Sequence, residues 1–189
     1  MNFLGKLFWK KKSTKSKYLP EKREPIEISF VKRFTLNGGK FIYCENELEL
    51  RVNFQNILIE NKISTSELLS NEKSVIDYFQ IDNDILNPKA LVVNCEFLIS
   101  NQGSIMVSNH QILNKKLNQL PEIIIIIAKT SDFKNDVSEA MSAIKNKYGE
   151  SIPSNITNIH PTNPEKNSNF ISYKRTSKEL YLLLSDVNK

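Results

Sequence analysis

Apolar residues follow two rhythms along this chain. Ile26, Phe30, Val31 and Phe34 recur at helical spacing and predict a helix over residues 26–36. Gly38 is placed to stop that helix in a left-handed cap, and Lys40 to Cys44 then reads as a strand. Residues 46–61 predict a second helix, with Leu48, Val52, Ile57 and Leu58 as its core contacts. The other rhythm is the continuous apolar run. Residues 91–93 and 105–107 read as buried strands, and Ile123 to Ile127, five isoleucines in a row, give the strongest strand signal. A polar, acidic connection from Asn94 to Gly103 joins the first two runs, and Gly103 is the only glycine between Gly39 and Gly149. Glycine there permits a positive φ or a close backbone approach.

Other elements come from the same pattern. Residues 109–120 carry scattered apolar positions and predict a short helix. Val137, Ala140, Met141, Ile144 and Tyr148 keep the i, i+3, i+4, i+7 spacing of a helix that Ser131 or Asp132 caps and Gly149 ends. Residues 155–159, 170–173 and 180–184 read as short strands. Residues 63–78 are ambiguous, because Ser64-x-x-Glu67 has the form of a capping box. Strands alternating with helices, several of them apolar on both faces, predict an α/β layered fold with a mostly parallel sheet flanked by helices.

Composition narrows the class. The chain of 189 residues is 40% hydrophobic and 25% charged, ordinary values for a soluble domain. No apolar run approaches the ~18 residues of a spanning helix. The N-terminus lacks the apolar core and cleavage site of a secretory signal, so the expected location is the cytoplasm. The net charge of +5 gathers at the front, in Lys6, Lys10, Lys11, Lys12, Lys15 and Lys17 among others. Residues 1–25 read as a basic tail and linker ahead of one domain at 26–189. Phe3, Leu4, Leu7 and Phe8 give the tail a short amphipathic pattern, open to three readings: a frayed end, a docking segment or a membrane-surface helix. A membrane anchor usually needs a second signal, so membrane contact is the least favoured of them. No basic pattern interleaved with aromatics continues into the domain, and nucleic-acid binding is not expected.

Cys44 and Cys95 form no C-x-x-C pair, and with His110 and His160 they give no metal-ligand spacing. No metal and no cofactor are therefore expected. There is also no G-x-G-x-x-G, no phosphate-binding loop of the P-loop type and no G-x-S-x-G.

The stretch Cys95-Glu96-x-x-Ile99-x-x-x-Gly103-Ser104-Ile105-Met106-Val107-Ser108 resembles the central motif of the LUD family, the lactate utilization proteins. The turn at Asn37-Gly38-Gly39-Lys40-Phe41 and the final Lys178-Glu179-Leu180-Tyr181 match as well, so the resemblance runs from about Phe30 to the C-terminus. It implies the fold shared by glucosamine-phosphate deaminases, ribose-phosphate isomerases and CoA transferases. It also implies a strand at 66–69 followed by a helix at 72–79. Of the family's C-terminal glycine turns, Gly-Pro-Ser and His-Gly-Pro, the first is barely recognisable and the second lacks its glycines in the corresponding Ile159-His160-Pro161-Thr162-Asn163-Pro164-Glu165-Lys166-Asn167 and Lys174-Arg175-Thr176-Ser177-Lys178. If those turns bind the family's ligand, the site here is lost or remodelled. Lys174, Arg175 and Lys178 would then offer charge in place of backbone contacts, or simply be solvated turn residues.

Candidate chemistry centres on the same stretch. Glu96 follows a buried strand, where desolvation suits a carboxylate to acid–base work; its bland alternative is a capping or surface carboxylate. Cys95 is a nucleophile only with a base nearby and otherwise a buried thiol. Asn101, Gln102, Gly103 and Ser104 are ligand contacts or ordinary turn residues. The resemblance implies two alternative functions. One is an accessory subunit of an L-lactate to pyruvate oxidation system, partnered by an iron–sulfur oxidoreductase and lacking a cofactor of its own. The other is a domain that binds or transforms a small molecule, an acid, a sugar phosphate or a CoA ester, in a pocket at residues 94–103.

Overall fold

The computed structural model describes residues 24–82, 86–112, 114–162 and 178–186. Its centre is a fully parallel five-stranded sheet. In chain order its strands are β1 (Lys40–Cys44), β2 (Leu68–Leu69), β3 (Ala90–Asn94), β6 (Ile123–Ala128) and β9 (Glu179–Ser185), arranged β1-β9-β6-β3-β2. A second sheet, β7-β4-β5-β8, comprises β4 (Phe97–Ile99), β5 (Ser104–Val107), β7 (Phe133–Lys134) and β8 (Thr157–Ile159). The helices are α1 (Ile26–Leu36), α2 (Glu47–Glu60), α3 (Lys73–Phe79), α4 (Asn109–Ile112) and α5 (Val137–Tyr148). Among the described residues no helix is long and apolar enough to cross a membrane.

Period-two alternation explains why the central strands are apolar throughout. Ile124 and Ile126 of β6, with Leu91, Val93, Leu182 and Leu184 of its neighbours, enter a core shared with α1 and the second sheet. Ile125, Val92, Tyr181 and Leu183 enter the opposite core, under α2 and α3. The second sheet repeats the device. Leu98, Ile105 and Val107 face the first core, while Phe97, Ile99 and Met106 meet Ala140 and Ile144 of α5.

The predicted α/β class with a mostly parallel sheet is the observed one. Three local expectations need correction. The connection 94–103 is not all loop, because β4 lies within it and pairs antiparallel with β5. The two central apolar runs therefore sit in different sheets. Helix α2 turns Leu50, Phe54, Ile57 and Leu58 inward and leaves Leu48 72% exposed and Val52 49% exposed. The residue capping α5 is Asp136, whose side chain accepts from the Glu139 N–H at 2.9 Å; Ser131 and Asp132 belong to an earlier turn before β7. At 63–78 both readings hold at once. Ser64 and Glu67 form the capping box of a short 3-10 turn, β2 follows, and α3 comes next. The expected tail helix and the strand at 170–173 lie outside the described residues.

Gly103, at φ +60°, ends the β4–β5 turn against α1. A Cβ there would stand 2.6 Å from Arg33 Cβ and 2.6 Å from the Phe34 nitrogen. The glycine is required by close packing of the turn on the helix.

Candidate functional site

The parallel strands of the central sheet end together on one side of the molecule, the usual position for ligands in an open α/β sheet. A cavity of about 830 Å³ opens there. Its polar lining comes from residues at or just beyond the strand ends. After β2 comes Glu72, which precedes α3; at the end of β3 come Asn94 and Cys95; after β6 come Lys129 and Asp132. The C-terminal turn of α5 adds Lys147 and Tyr148, and α4 adds His110. Leu50 of α2 and Val75, Tyr78 and Phe79 of α3 supply apolar surface.

Glu72 and Asp132 are held in fixed orientations. Glu72 accepts from the Asn94 backbone N–H at 3.1 Å and from the Asn94 side-chain amide. Burial pushes its carboxyl above the ordinary range, and these hydrogen bonds offset only part of the effect. Asp132 accepts from the Lys129 N–H at 2.8 Å and from the Ser131 hydroxyl at 3.3 Å. Its carboxyl is likewise raised by burial, against the Lys129 hydrogen bond. Two carboxyls at the cavity therefore retain protons more readily than free side chains do.

Glu96 is not among the cavity's lining residues. Its side chain is 0% exposed and stands behind the wall. It accepts from Ser108 Oγ at 2.9 Å, Gln111 Nε2 at 3.2 Å and the Tyr148 hydroxyl at 3.0 Å, and it forms an ion pair with Lys147 Nζ at 2.9 Å. Burial alone would raise its carboxyl, but the Lys147 and Ser108 hydrogen bonds and the lysine charge together hold it below the ordinary range. Burial lowers and Glu96 raises the Lys147 ammonium, with a net upward shift. Glu96 is thus a buried ionised hub that fixes Lys147 and Tyr148 at the cavity. His110 packs edge-on against Tyr148, with ring centroids 5.6 Å apart.

The sequence-derived candidates therefore separate. Cys95 lines the cavity, yet burial, with Asp132 and Glu96 nearby, drives its thiol well above the normal range, which disfavours the thiolate a nucleophile needs. Asn101, Gln102, Gly103 and Ser104 lie at the other end of the β4–β5 hairpin and do not line the cavity. Gln102 accepts there from Ser104 at 3.2 Å and Asn158 at 3.3 Å. Lys178 is no solvated turn lysine. It is 7% exposed and donates to the Leu120 carbonyl at 2.6 Å at the start of β9, and burial lowers its pKa. Sequence reasoning missed Glu72, Asp132, Lys147 and Tyr148. The first two carried a usable signal, an acid within a few residues of a strand's carboxyl end. The last two come from a helix end that only the fold brings near. Among the described residues no group of three or more His, Cys, Asp and Glu side chains is arranged to hold a metal ion.

The chain's fold is similar to that in a crystal structure of a DUF162 family protein from Deinococcus radiodurans. The TM-score is 0.58 at 14% identity, covering 85% of this chain and 96% of that one. No curated protein matches the sequence. The LUD domain model matches residues 68–184, a span that runs from β2 into β9 and includes Glu72, Asn94, Glu96, Asp132 and Lys147. A match over more than half of the sequence makes the chain a member of the LUD domain family.

Proposed function

We propose that this LUD domain holds a small organic acid in the cavity above its central sheet and serves as an accessory component of a lactate-oxidising system. The observation that carries the reading is the cavity itself. It sits where the strands end, and it gathers two burial-raised carboxyls with a lysine and a tyrosine fixed from behind by Glu96. Lys147 spends one N–H on Glu96 and has others to give to a ligand's carboxylate or carbonyl oxygen. Glu72 and Asp132 can accept from a ligand hydroxyl, or donate when protonated. The family supports the lactate context in general, and partnership with an iron–sulfur oxidoreductase is the setting that would supply electron transfer.

Thermal melting of the purified chain against lactate, pyruvate, longer hydroxy and oxo acids, sugar phosphates and CoA esters tests the ligand. An acid present at about 100 times its Kd should add roughly 2.7 kcal/mol, a rise of about 5–10 °C for a domain of this size. Silence from every acid would overturn the ligand reading. For the lactate context, host extracts lacking the chain should lose L-lactate-dependent dye reduction and recover it on re-expression. An unchanged rate would remove lactate oxidation from the proposal.

A further inference from the structure

We infer that the cavity selects an acid with a bulky apolar or aromatic arm beside its hydroxyl or carbonyl group, rather than a three-carbon acid; this rests on the organic-acid reading above.

Size comes first. The volume of about 830 Å³ lies toward the upper part of the ~300–1,000 Å³ range of sites that enclose drug-sized molecules. A three-carbon acid would fill a small fraction of it and leave apolar surface against water.

The distribution of chemistry around the cavity is the second argument. Polar groups arrive from the ends of β3 and β6, from α4 and from the end of α5. Apolar groups arrive mainly from α2 and α3, through Leu50, Val75, Tyr78 and Phe79, with Glu47 and Ser74 as the polar positions on those helices. Ile127 and Ala128 add apolar surface at the end of β6. On α3, Val75 and Phe79 are buried and the Tyr78 ring is half-buried beside them. The Phe79 ring is braced by Phe54 at 3.9 Å between centroids and by Tyr78 edge-on at 4.6 Å. Arg51 lies over Tyr78 at 4.1 Å and donates to its backbone carbonyl at 3.3 Å. This aromatic surface is preorganised. A ligand polar all round, such as a sugar phosphate, would leave hydroxyls facing it without partners, at a cost of the order of 1–3 kcal/mol each. An acid with an apolar arm meets both sides, its head at Lys147, Glu72 and Asp132, its arm on α3.

Isothermal titration of the full chain with L-lactate, 2-hydroxyisocaproate and 3-phenyllactate decides the matter. Phenyllactate should bind roughly 50-fold or more tightly than lactate, the factor expected from burying about 100 Å² of ring surface. The branched acid should fall between them. Tyr78→Ser, at a half-buried position, should move the phenyllactate-to-lactate ratio toward one. Equal affinities for lactate and phenyllactate, or a ratio untouched by Tyr78→Ser, would overturn the inference while leaving the organic-acid reading intact. Failure of all three acids to bind would overturn the inference, and silence of the wider acid panel in thermal melting as well would overturn the organic-acid reading.

Discussion

The two ends of the central sheet both carry clusters of charge, and they use it differently. At the amino end, Lys40 of β1 bridges Glu60 at 2.9 Å and Glu179 at 2.6 Å and donates to the Tyr181 hydroxyl at 2.5 Å. Asn61 donates to the same hydroxyl at 2.8 Å. Burial works against the Lys40 ammonium, yet the bonds to Glu179 and Tyr181 outweigh it and hold it well above the ordinary lysine range. Every charge there has a partner, and the cluster ties the sheet to the end of α2. At the carboxyl end the pairing is incomplete. Glu96 is saturated, but Glu72 and Asp132 are oriented by backbone donors and left facing a cavity with their carboxyls raised. Reciprocal pairing marks a structural cluster. Oriented but underpaired charge, beside open volume, marks a candidate site.

The sharpest way to break this contrast is Lys147→Ala. It leaves the buried Glu96 carboxylate without its cation and should cost about 2 kcal/mol at neutral pH, below the 3–5 kcal/mol of a fully buried pair because Lys147 is half-exposed. Denaturant titration measures it. Because the folded pKa of Glu96 is depressed, its contribution is present above the ordinary carboxyl range and fades as pH falls through the lowered value. The penalty of Lys147→Ala should shrink in acid for the same reason.

Glu72→Gln should act in the opposite sense. A carboxyl raised in the folded state favours folding at low pH and weakens it as pH climbs from the unfolded value through the raised one. The amide removes that loss, so stability near pH 7 should hold or improve. Acid binding should fall roughly tenfold, about 1.4 kcal/mol, if Glu72 touches the ligand. A large loss of stability with binding intact would make Glu72 as structural as Lys40.

Tyr181→Phe probes the amino end and should cost about 1 kcal/mol of stability with no change in ligand affinity. An affinity change would show the two ends to be coupled. The pH dependence of acid binding tests the same carboxyls without a substitution. If Glu72 or Asp132 takes up a proton with the ligand, affinity should fall by at most about tenfold per pH unit as pH rises past the raised carboxyl values. A flat profile would mean the acid is held without proton uptake.

Much of the scaffold was legible in the sequence, because strands buried on both faces cannot hide. Ile123 to Ile127 has no polar position to present to water. Helix α2 was legible in extent but not in rotation. Its apolar residues at 48, 50, 52, 54, 57, 58 and 59 offer two competing stripes, and the large Phe54 decides which one turns inward. Strand β4 was hidden because Phe97 to Ile99 reads as part of a polar, acidic connection, and its pairing partners β5 and β7 are supplied by tertiary structure. The site divides in the same way. The importance of the Cys95-Glu96 stretch was readable, while the roles within it were not. Nothing local tells Glu96 that α5 will bring Lys147 and Tyr148 across 51 and 52 residues to close over it.

The position of β9 has a consequence for biosynthesis. Among the described residues this strand is the latest in chain order, is inserted between β1 and β6, and is the only partner of β1 in the sheet. The central sheet therefore cannot be completed as the chain emerges. Until residues 179–185 have left the ribosome, β1 waits unpaired and the isoleucine strand presents one bare edge. An aggregation-prone segment is thus exposed from the synthesis of β6 until β9 emerges, and a nascent chain stalled ahead of β9 should be a preferred client of chaperones that bind extended apolar segments.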